Sequence, residues 1–295
     1  MNVKAQAKNT AAGCFSLLVS TLAFLLASSL AARPGLAQDD TRKPDAPYVP
    51  TPQIVVDEML RIADVGPRDF VIDLGSGDGR IVITAAKKFG ARAMGVELDF
   101  HLLIQSEESA RRAGVAERVK FVQEDLFRTD LSAASVITLY LFPEMNLKLR
   151  PKLLALRPGT RIVAHDFDLG DWRPDAKSRI RKDVMLWIVP AQVAGRWRSR
   201  IGLPPIERHL ELEFTQRYQE VSAHARLNGV PAPVWEARLS GDRLSFAVVD
   251  STDPQNEATL YFEGRVAGEV IEGEVARGVG TERLKGPWRA VRSGR

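Results

Sequence analysis

The stretch Val71-Ile72-Asp73-Leu74-Gly75-Ser76-Gly77-Asp78-Gly79-Arg80 sets an acid within a short apolar run and three glycines at alternate positions behind it. Glycines let the chain turn sharply and let a ligand approach bare backbone. A helix opening near Arg80 would aim free N–H groups at that ligand, an arrangement suited to a carboxylate or a phosphate. The spacing discriminates between ligands. A dinucleotide loop requires Gly-x-Gly-x-x-Gly, which would put its third glycine at position 80; that residue is Arg80, and the glycine comes one place early, at Gly79. A pyrophosphate cradle, and with it a nucleotide-dependent oxidoreductase, is therefore disfavoured. Two further acids follow at matching places. Glu97 closes Met94-Gly95-Val96-Glu97, where a carboxylate can accept from both hydroxyls of a ribose. Asp125 closes Phe121-Val122-Gln123-Glu124-Asp125, where it can accept from an adenine amino group while the Leu126 backbone lies along the ring edge. Any one of these acids alone reads equally well as a solvated strand end. Three in order at consecutive strand ends read as an adenosine site.

The elements that must position these residues are visible as short apolar runs alternating with amphipathic segments. Strands are expected at Phe70–Leu74, Ala93–Glu97, Val119–Gln123, Val136–Phe142, Arg161–His165 and Val184–Val189, with helices at Arg80–Phe89, His101–Ala113 and Leu147–Leu156. Continuous apolar strands separated by helices predict an α/β fold, a parallel sheet covered on both faces. A further helix is expected to begin near Pro52, with Thr51 as its cap. After about residue 190 the helical period disappears. Alternation takes over in Leu210–Phe214, Leu244–Val248 and Leu260–Phe262, and glycine turns follow strand ends at Asn228-Gly229, Ser240-Gly241 and Ala267-Gly268. Residues 195–295 thus read as a small antiparallel β domain, a sandwich or a barrel, built as a meander of hairpins. The expected organisation is a leader over 1–37, a linker over 38–50, an α/β domain over 51–192 and the β domain over 195–295.

With Gly-x-Gly-x-Gly at Gly75, Gly77 and Gly79, the loop resembles motif I of class I, Rossmann-like, seven-β-strand methyltransferases that use S-adenosylmethionine (SAM). The resemblance spans roughly residues 48–190. It is closer to the subgroup of mitochondrial protein-lysine methyltransferases acting on the c subunit of ATP synthase and on the adenine nucleotide translocase. Tyr48-Val49-Pro50-Thr51-Pro52, Gly95–Leu98, Asp125-Leu126-Phe127, Leu141-Phe142-Pro143-Glu144-Met145 and Phe167–Trp172 carry it. The resemblance implies a SAM-dependent methyltransferase whose acceptor is a protein lysine or a small molecule. It implies cofactor-binding roles for Asp73, Gly75, Gly77, Gly79, Glu97, Asp125 and Leu126. The β-rich region after 195 is not part of it.

Because SAM already carries an activated methyl, the protein chiefly has to hold a nucleophile in line behind it. In this fold the reacting atoms belong beyond the carboxyl end of the fourth strand, here Tyr140-Leu141-Phe142-Pro143-Glu144-Met145. Glu144 could orient or deprotonate an amine, and Tyr140 or Phe142 could flank the methyl. The plain alternative makes Tyr140 and Phe142 strand core and Glu144 a helix start. Tyr48 and Thr51 could fold over the cofactor as a lid or simply lead into a helix. His165 reads as structural more readily than as a base. The Asn-Pro-Pro-Tyr signature of many amino-group methyltransferases is absent from the sequence. The other histidines are scattered and the single cysteine, Cys14, lies in the leader, so no metal-ligand cluster is expected.

Composition bounds the partners and the compartment. The chain of 295 residues carries 41 basic and 37 acidic residues. Lys4, Lys8 and Arg33 belong to an N-terminal leader; without them 38 basic residues face 37 acidic ones, which gives no stripe for nucleic acid. The leader has Lys4 and Lys8 before an uncharged run over residues 9–32, then Gly35-Leu36-Ala37. This is the layout of a secretory signal peptide cleaved after Ala37, and of a membrane anchor through residues 9–32 if it stays uncleaved. Either places the folded part outside the cytoplasm, periplasmic or secreted, whereas SAM is made inside it. An exported, non-catalytic binder of a nucleoside-type ligand is the competing reading.

Overall fold

The computed structural model describes residues 48–203, 206–252, 257–278 and 284–294. The leader, Cys14, the cleavage site after Ala37 and the linker as far as residue 47 lie outside the described residues.

The first sheet is made of β1 (Phe70–Leu74), β2 (Arg92–Glu97), β3 (Val119–Gln123), β4 (Val136–Leu139), β5 (Arg161–His165), β6 (Ala176–Arg179) and β7 (Asp183–Ile188), in the order β3-β2-β1-β4-β5-β7-β6. The strands β1 to β5 pair in parallel. The expectation of a wholly parallel sheet is corrected at one edge: β7 runs antiparallel to both β5 and β6. Four helices serve this sheet: α1 (Gln53–Ile62), α2 (Arg80–Phe89), α3 (Phe100–Arg112) and α4 (Pro143–Leu154). Successive strand residues point to opposite faces. Val71, Val136 and Val163 therefore pack with Val55 and Met59 of α1 and Val82 and Ala85 of α2. Ile72, Leu74, Ile137, Leu139, Ile162 and Ala164 meet Leu149 and Leu153 of α4 on the other face.

Two local expectations change. Thr51 does not cap α1: Pro52 holds the N-cap position without a side-chain bond, and the Thr51 hydroxyl turns instead to the His165 ring, 3.3 Å away. The fourth strand stops at Leu139, short of Phe142, and the helix expected at Leu147 begins at Pro143. Proline fits the first turn of a helix and forces an extended residue before it; Phe142 has φ −60 and ψ 154. Tyr140 to Phe142 thereby leave the sheet and become the connection at its carboxyl edge.

The second sheet comprises β8 (Gly195–Leu203), β9 (Ile206–Arg217), β10 (Glu220–Leu227), β11 (Val230–Ala232), β12 (Val234–Ser240), β13 (Arg243–Asp250), β14 (Ala258–Ala267), β15 (Val270–Arg277) and β16 (Leu284–Gly294). Its order is β11-β10-β9-β8-β16-β15-β14-β13-β12. All neighbours are antiparallel. It is one sheet around one core that includes Trp197, Phe214, Phe246, Phe262 and Trp288, and β10 comes back against β12. Of the sandwich and the barrel, the structure is a curled, nearly closed barrel. The Asn228-Gly229, Gly241 and Gly268 turns are hairpin turns in it, each with positive φ.

The barrel packs on the α4 face of the first sheet. Ala191 N–H donates to Gly241 O at 2.8 Å, and Tyr218 stacks on Trp172 with ring centroids 5.9 Å apart.

Candidate active site

The glycine loop joins β1 to α2, and Gly75, Gly77 and Gly79 all adopt left-handed backbone, with φ 77, 54 and 78. Side chains there would also collide. A Cβ on Gly77 would lie 2.5 Å from the Tyr48 ring, and one on Gly79 would lie 2.7 Å from the Phe121 ring. The loop ahead of the helix engages most of its own amides. Gly75 and Ser76 N–H donate to Val96 O at 2.9 Å each, Gly79 N–H to Ser76 O at 2.9 Å, Gly77 N–H to Glu97 Oε2 at 2.8 Å and Arg80 N–H to Asp78 Oδ1 at 3.2 Å. The loop has bound these amides to the end of β2 and to itself, which withdraws them from a pyrophosphate.

Three acids stand at neighbouring strand ends, as expected. Asp73 is buried in β1 and accepts from Thr138 Oγ1 on β4 at 2.5 Å. Burial pushes its carboxyl up to about 7; the Thr138 bond opposes this, and the charges of Glu97 and Asp78 add to it. Glu97 accepts from Leu98 and Asp99 N–H through Oε1, at 2.8 and 2.9 Å, and from Gly77 N–H through Oε2. These bonds aim its carboxylate across the mouth of the glycine loop. Asp125 follows β3, accepts from Phe127 N–H at 2.9 Å and lies 3.8 Å from Arg128 Nε; Leu126 beside it is half-buried.

Over the loop lies the segment from Tyr48 to Pro52. Arg80 ties it down, donating to Thr51 O at 2.9 Å and pairing with Asp78 at 2.6 Å. The Tyr48 hydroxyl is held above its usual pKa by burial and by the nearby Asp78 carboxylate. Within this segment Thr51 is buried.

At the carboxyl end of β4, the rings of Tyr140 and His165 lie 4.0 Å apart, Tyr140 stacks toward Phe167 at 6.3 Å, and Phe142 meets Phe167 at 6.1 Å. Tyr140 is half-buried, whereas Glu144 is exposed in the first turn of α4. Burial holds the His165 ring below its usual pKa, against the pull of Asp166. Three buried polar atoms around this edge have no partner among the described residues: Ser76 Oγ, Asn146 Oδ1 and His165 Nε2. Buried polar atoms are ordinarily bonded, so their presence fits a site completed by a ligand or water.

Thr138, Ser106 and Asn146 escape a reading by motif. Thr138 could have been found as the one polar residue in Val136-Ile137-Thr138-Leu139, in parallel register with Asp73. Ser106 donates to Gly77 O at 2.9 Å from the middle of α3, and Asn146 donates to Phe167 O and Asp168 O at 3.2 and 3.1 Å. Nothing in their local sequence marks these contacts.

This arrangement fits an adenosine-bearing ligand without a pyrophosphate. Glu97 and Asp125 would hold its nucleoside, and Asp73 with the loop would hold the rest. Comparison with known proteins agrees. Residues 73–176 match the family described as the ANTKMT methyltransferase domain. A protein-lysine N-methyltransferase of Saccharolobus islandicus is 42% identical over 154 residues, which are 52% of this chain and 96% of that protein. The human lysine N-methyltransferase of the ATP synthase C subunit is 34% identical over 172 residues, 58% of this chain and 71% of that one. A solved RNA methyltransferase from Salinibacter ruber, in complex with S-adenosyl-L-homocysteine, is 51% identical and covers 49% of this chain and 96% of that one, with a TM-score of 0.48. On the identity to the two lysine methyltransferases, the enzyme reading stands over the non-catalytic binder. The chain belongs to the family of the ANTKMT methyltransferase domain and is a SAM-dependent methyltransferase.

Proposed function

We propose that this enzyme methylates a lysine side chain of a protein. The observation that carries the acceptor class is the 42% identity to a protein-lysine N-methyltransferase over 96% of that protein. The geometry supports it: Tyr140, Phe142 and Phe167 gather aromatic faces at the mouth beyond β4. Aromatic faces attract an arriving ammonium, and an apolar surround lowers its pKa by desolvation. The amine must lose a proton before it can attack. SAM supplies an electrophilic methyl when bound, and S-adenosylhomocysteine is the product that departs.

In this reading Asp73, Gly75, Gly77, Gly79, Glu97, Asp125 and Leu126 form the cofactor site, with Tyr48 and Thr51 covering it. Tyr140 flanks the acceptor. Glu144, solvent-facing beside Phe142, draws the lysine ammonium toward the mouth.

The test is incubation of the purified chain with methyl-labelled SAM and separate protein, RNA, lipid and metabolite fractions. Label should enter protein and be recovered as methyl-lysine after acid hydrolysis. Label confined to another fraction would overturn the lysine assignment. Glu97→Ala and Asp73→Ala should each weaken S-adenosylhomocysteine binding strongly in calorimetry, and unchanged affinity would remove those residues from the site.

We further propose that the folded part is exported, on the strength of Lys4 and Lys8, the uncharged run over 9–32 and Gly35-Leu36-Ala37. Residues 1–45 fused to a reporter active only outside the cytoplasm should give signal. A silent but stable fusion would place the enzyme with the cytoplasmic SAM pool.

A further inference from the structure

The loop that follows β5 carries Phe167 to the mouth and then returns toward the barrel through Trp172. It is held from two sides. From α4, Asn146 Nδ2 donates to Phe167 O and Asp168 O, and Arg150 donates to Leu169 O at 2.9 Å. Arg150 also pairs with Asp171, and Trp187 of β7 donates to Trp172 O at 2.7 Å. From the barrel, a single hairpin turn between β9 and β10 adds a second set of contacts. Arg217 pairs with Asp171 at 2.6 Å, and the Tyr218 hydroxyl donates to Asp171 Oδ1 at 3.1 Å. Gln219 accepts from Trp172 Nε1 at 2.9 Å and donates to Arg173 O at 2.7 Å. The Tyr218 ring stacks on fully buried Trp172 at an interplanar angle of 21°.

The turn itself shows that these contacts are not incidental. Tyr218 sits at φ 57, in the left-handed region, where the hairpins at Asn228-Gly229, Gly241 and Gly268 use asparagine or glycine. A bulky residue there costs conformational free energy that glycine would not. The position therefore trades backbone ease for a side chain, and that side chain is spent on Asp171 and Trp172 rather than on the barrel's core. The match to the Saccharolobus islandicus protein covers 96% of it in 154 residues, which leaves that protein no room for β8 to β16. The clamp is a feature of this chain's own architecture.

We propose that Arg217, Tyr218 and Gln219 are positioning residues: through Asp171 and Trp172 they hold the loop that sets Phe167 at the acceptor mouth. This rests on the reading of Tyr140, Phe142 and Phe167 as the acceptor side. The turn's side chains bond to Asp171, Trp172 and Arg173 and not to the cofactor side at Asp73, Glu97 and Asp125, so the clamp should govern acceptor use and leave cofactor affinity alone.

Tyr218→Gly and Tyr218→Phe in the full chain separate positioning from mere adhesion. Glycine relieves the backbone at φ 57 while deleting the ring, and phenylalanine keeps the stack. S-adenosylhomocysteine affinity is read by calorimetry, KM and kcat with poly-L-lysine as acceptor, and amide hydrogen exchange in a peptide covering residues 166–173. Tyr218→Gly should keep its affinity within twofold, raise the acceptor KM at least fivefold and speed exchange in that peptide at least tenfold; Tyr218→Phe should restore all three readings. Unchanged exchange in Tyr218→Gly, or an equal loss of cofactor affinity and acceptor KM, would overturn the proposal. If the unmodified chain binds S-adenosylhomocysteine but methylates no poly-L-lysine and no protein, the lysine reading fails by itself. The exchange measurement then decides the clamp independently.

Discussion

Asp73→Asn is the most direct test of the electrostatics of the site. Asp73 is 2% exposed, and its carboxyl is raised from 3.8 to about 7, by burial first and by Glu97 and Asp78 in addition. A raised carboxyl favours the protonated form in the folded state. Below pH 4 the folded and unfolded chains both carry the proton and there is no penalty. Between pH 4 and 7 the unfolded chain releases it while the folded chain keeps it, so stability falls as pH rises. Above 7 the folded chain buries a charge and the penalty is complete. At about 1.4 kcal/mol per unit, a shift of roughly three units amounts to about 4 kcal/mol. Part of that is already present at pH 5, so the further change from pH 5 to pH 8 is about 2–3 kcal/mol. Asparagine has the same shape, still accepts from Thr138 and never ionises. Urea unfolding of both proteins at pH 5, 6, 7 and 8 cancels, in the difference, the titrating groups that do not couple to Asp73. The variant should gain on the parent by about 2–3 kcal/mol across that range. A gap that stays constant with pH would refute the burial argument. Thr138→Val removes the one bond that favours the carboxylate, so the loss of stability should continue to higher pH.

Other consequences follow from the same contacts. Arg80→Ala removes the bond to Thr51 O and the pair with Asp78 that tie down the Tyr48–Pro52 segment; loss of charge-assisted bonds worth about 2 kcal/mol should weaken S-adenosylhomocysteine binding roughly thirtyfold in calorimetry. Gly79→Ala strains a backbone at φ 78 and meets the Phe121 ring at 2.7 Å, for a loss of about 3 kcal/mol and a drop in melting temperature of roughly 6–12 °C. Ending the chain at Pro190 removes Tyr218 from Trp172, now fully buried, and should lower the urea stability of the first sheet by about 3 kcal/mol.

The legible parts of this molecule are those in which local sequence and tertiary environment agree. β1, β5 and α2 fall on the expected residues because apolar strands buried on both faces read as unbroken runs, and because Gly79 and Gly90 bracket α2 with left-handed φ; β3 also falls where expected, as an edge strand with only Phe121 buried. The three acids and the glycine spacing were legible for the same reason: they depend on order along the chain. β6 escaped because Ala176-Lys177-Ser178-Arg179 is an exposed edge strand with little to bury. The start of α4 was hidden in the apolar run Val136–Phe142, where periodicity cannot separate strand from connection. Thr51 was read by a local rule, helix capping, and lost to a partner 114 residues away. The bonds of the loop amides are not legible locally because their acceptors, Val96 O and Glu97, belong to the next strand. Tyr218 gives no sign at all until φ and Trp172 are seen together.

This division has a functional meaning. In the proposed reading the cofactor side is built from consecutive strand ends, β1 to β3, so a short run of motifs can specify it. The acceptor side, in the same reading, is assembled from Tyr140 to Asn146, from His165 to Trp172, and from a hairpin of the second sheet. No single stretch encodes it, and each piece can change without disturbing Asp73, Glu97 or Asp125. That is the physical reason one scaffold serves many acceptors. It also locates specificity here: acceptor choice should respond to changes at Phe167 and Tyr218, which lie 51 positions apart in sequence but are joined through a few side chains in space, while cofactor affinity should respond to the glycine loop, the segment over it and the acids at the strand ends.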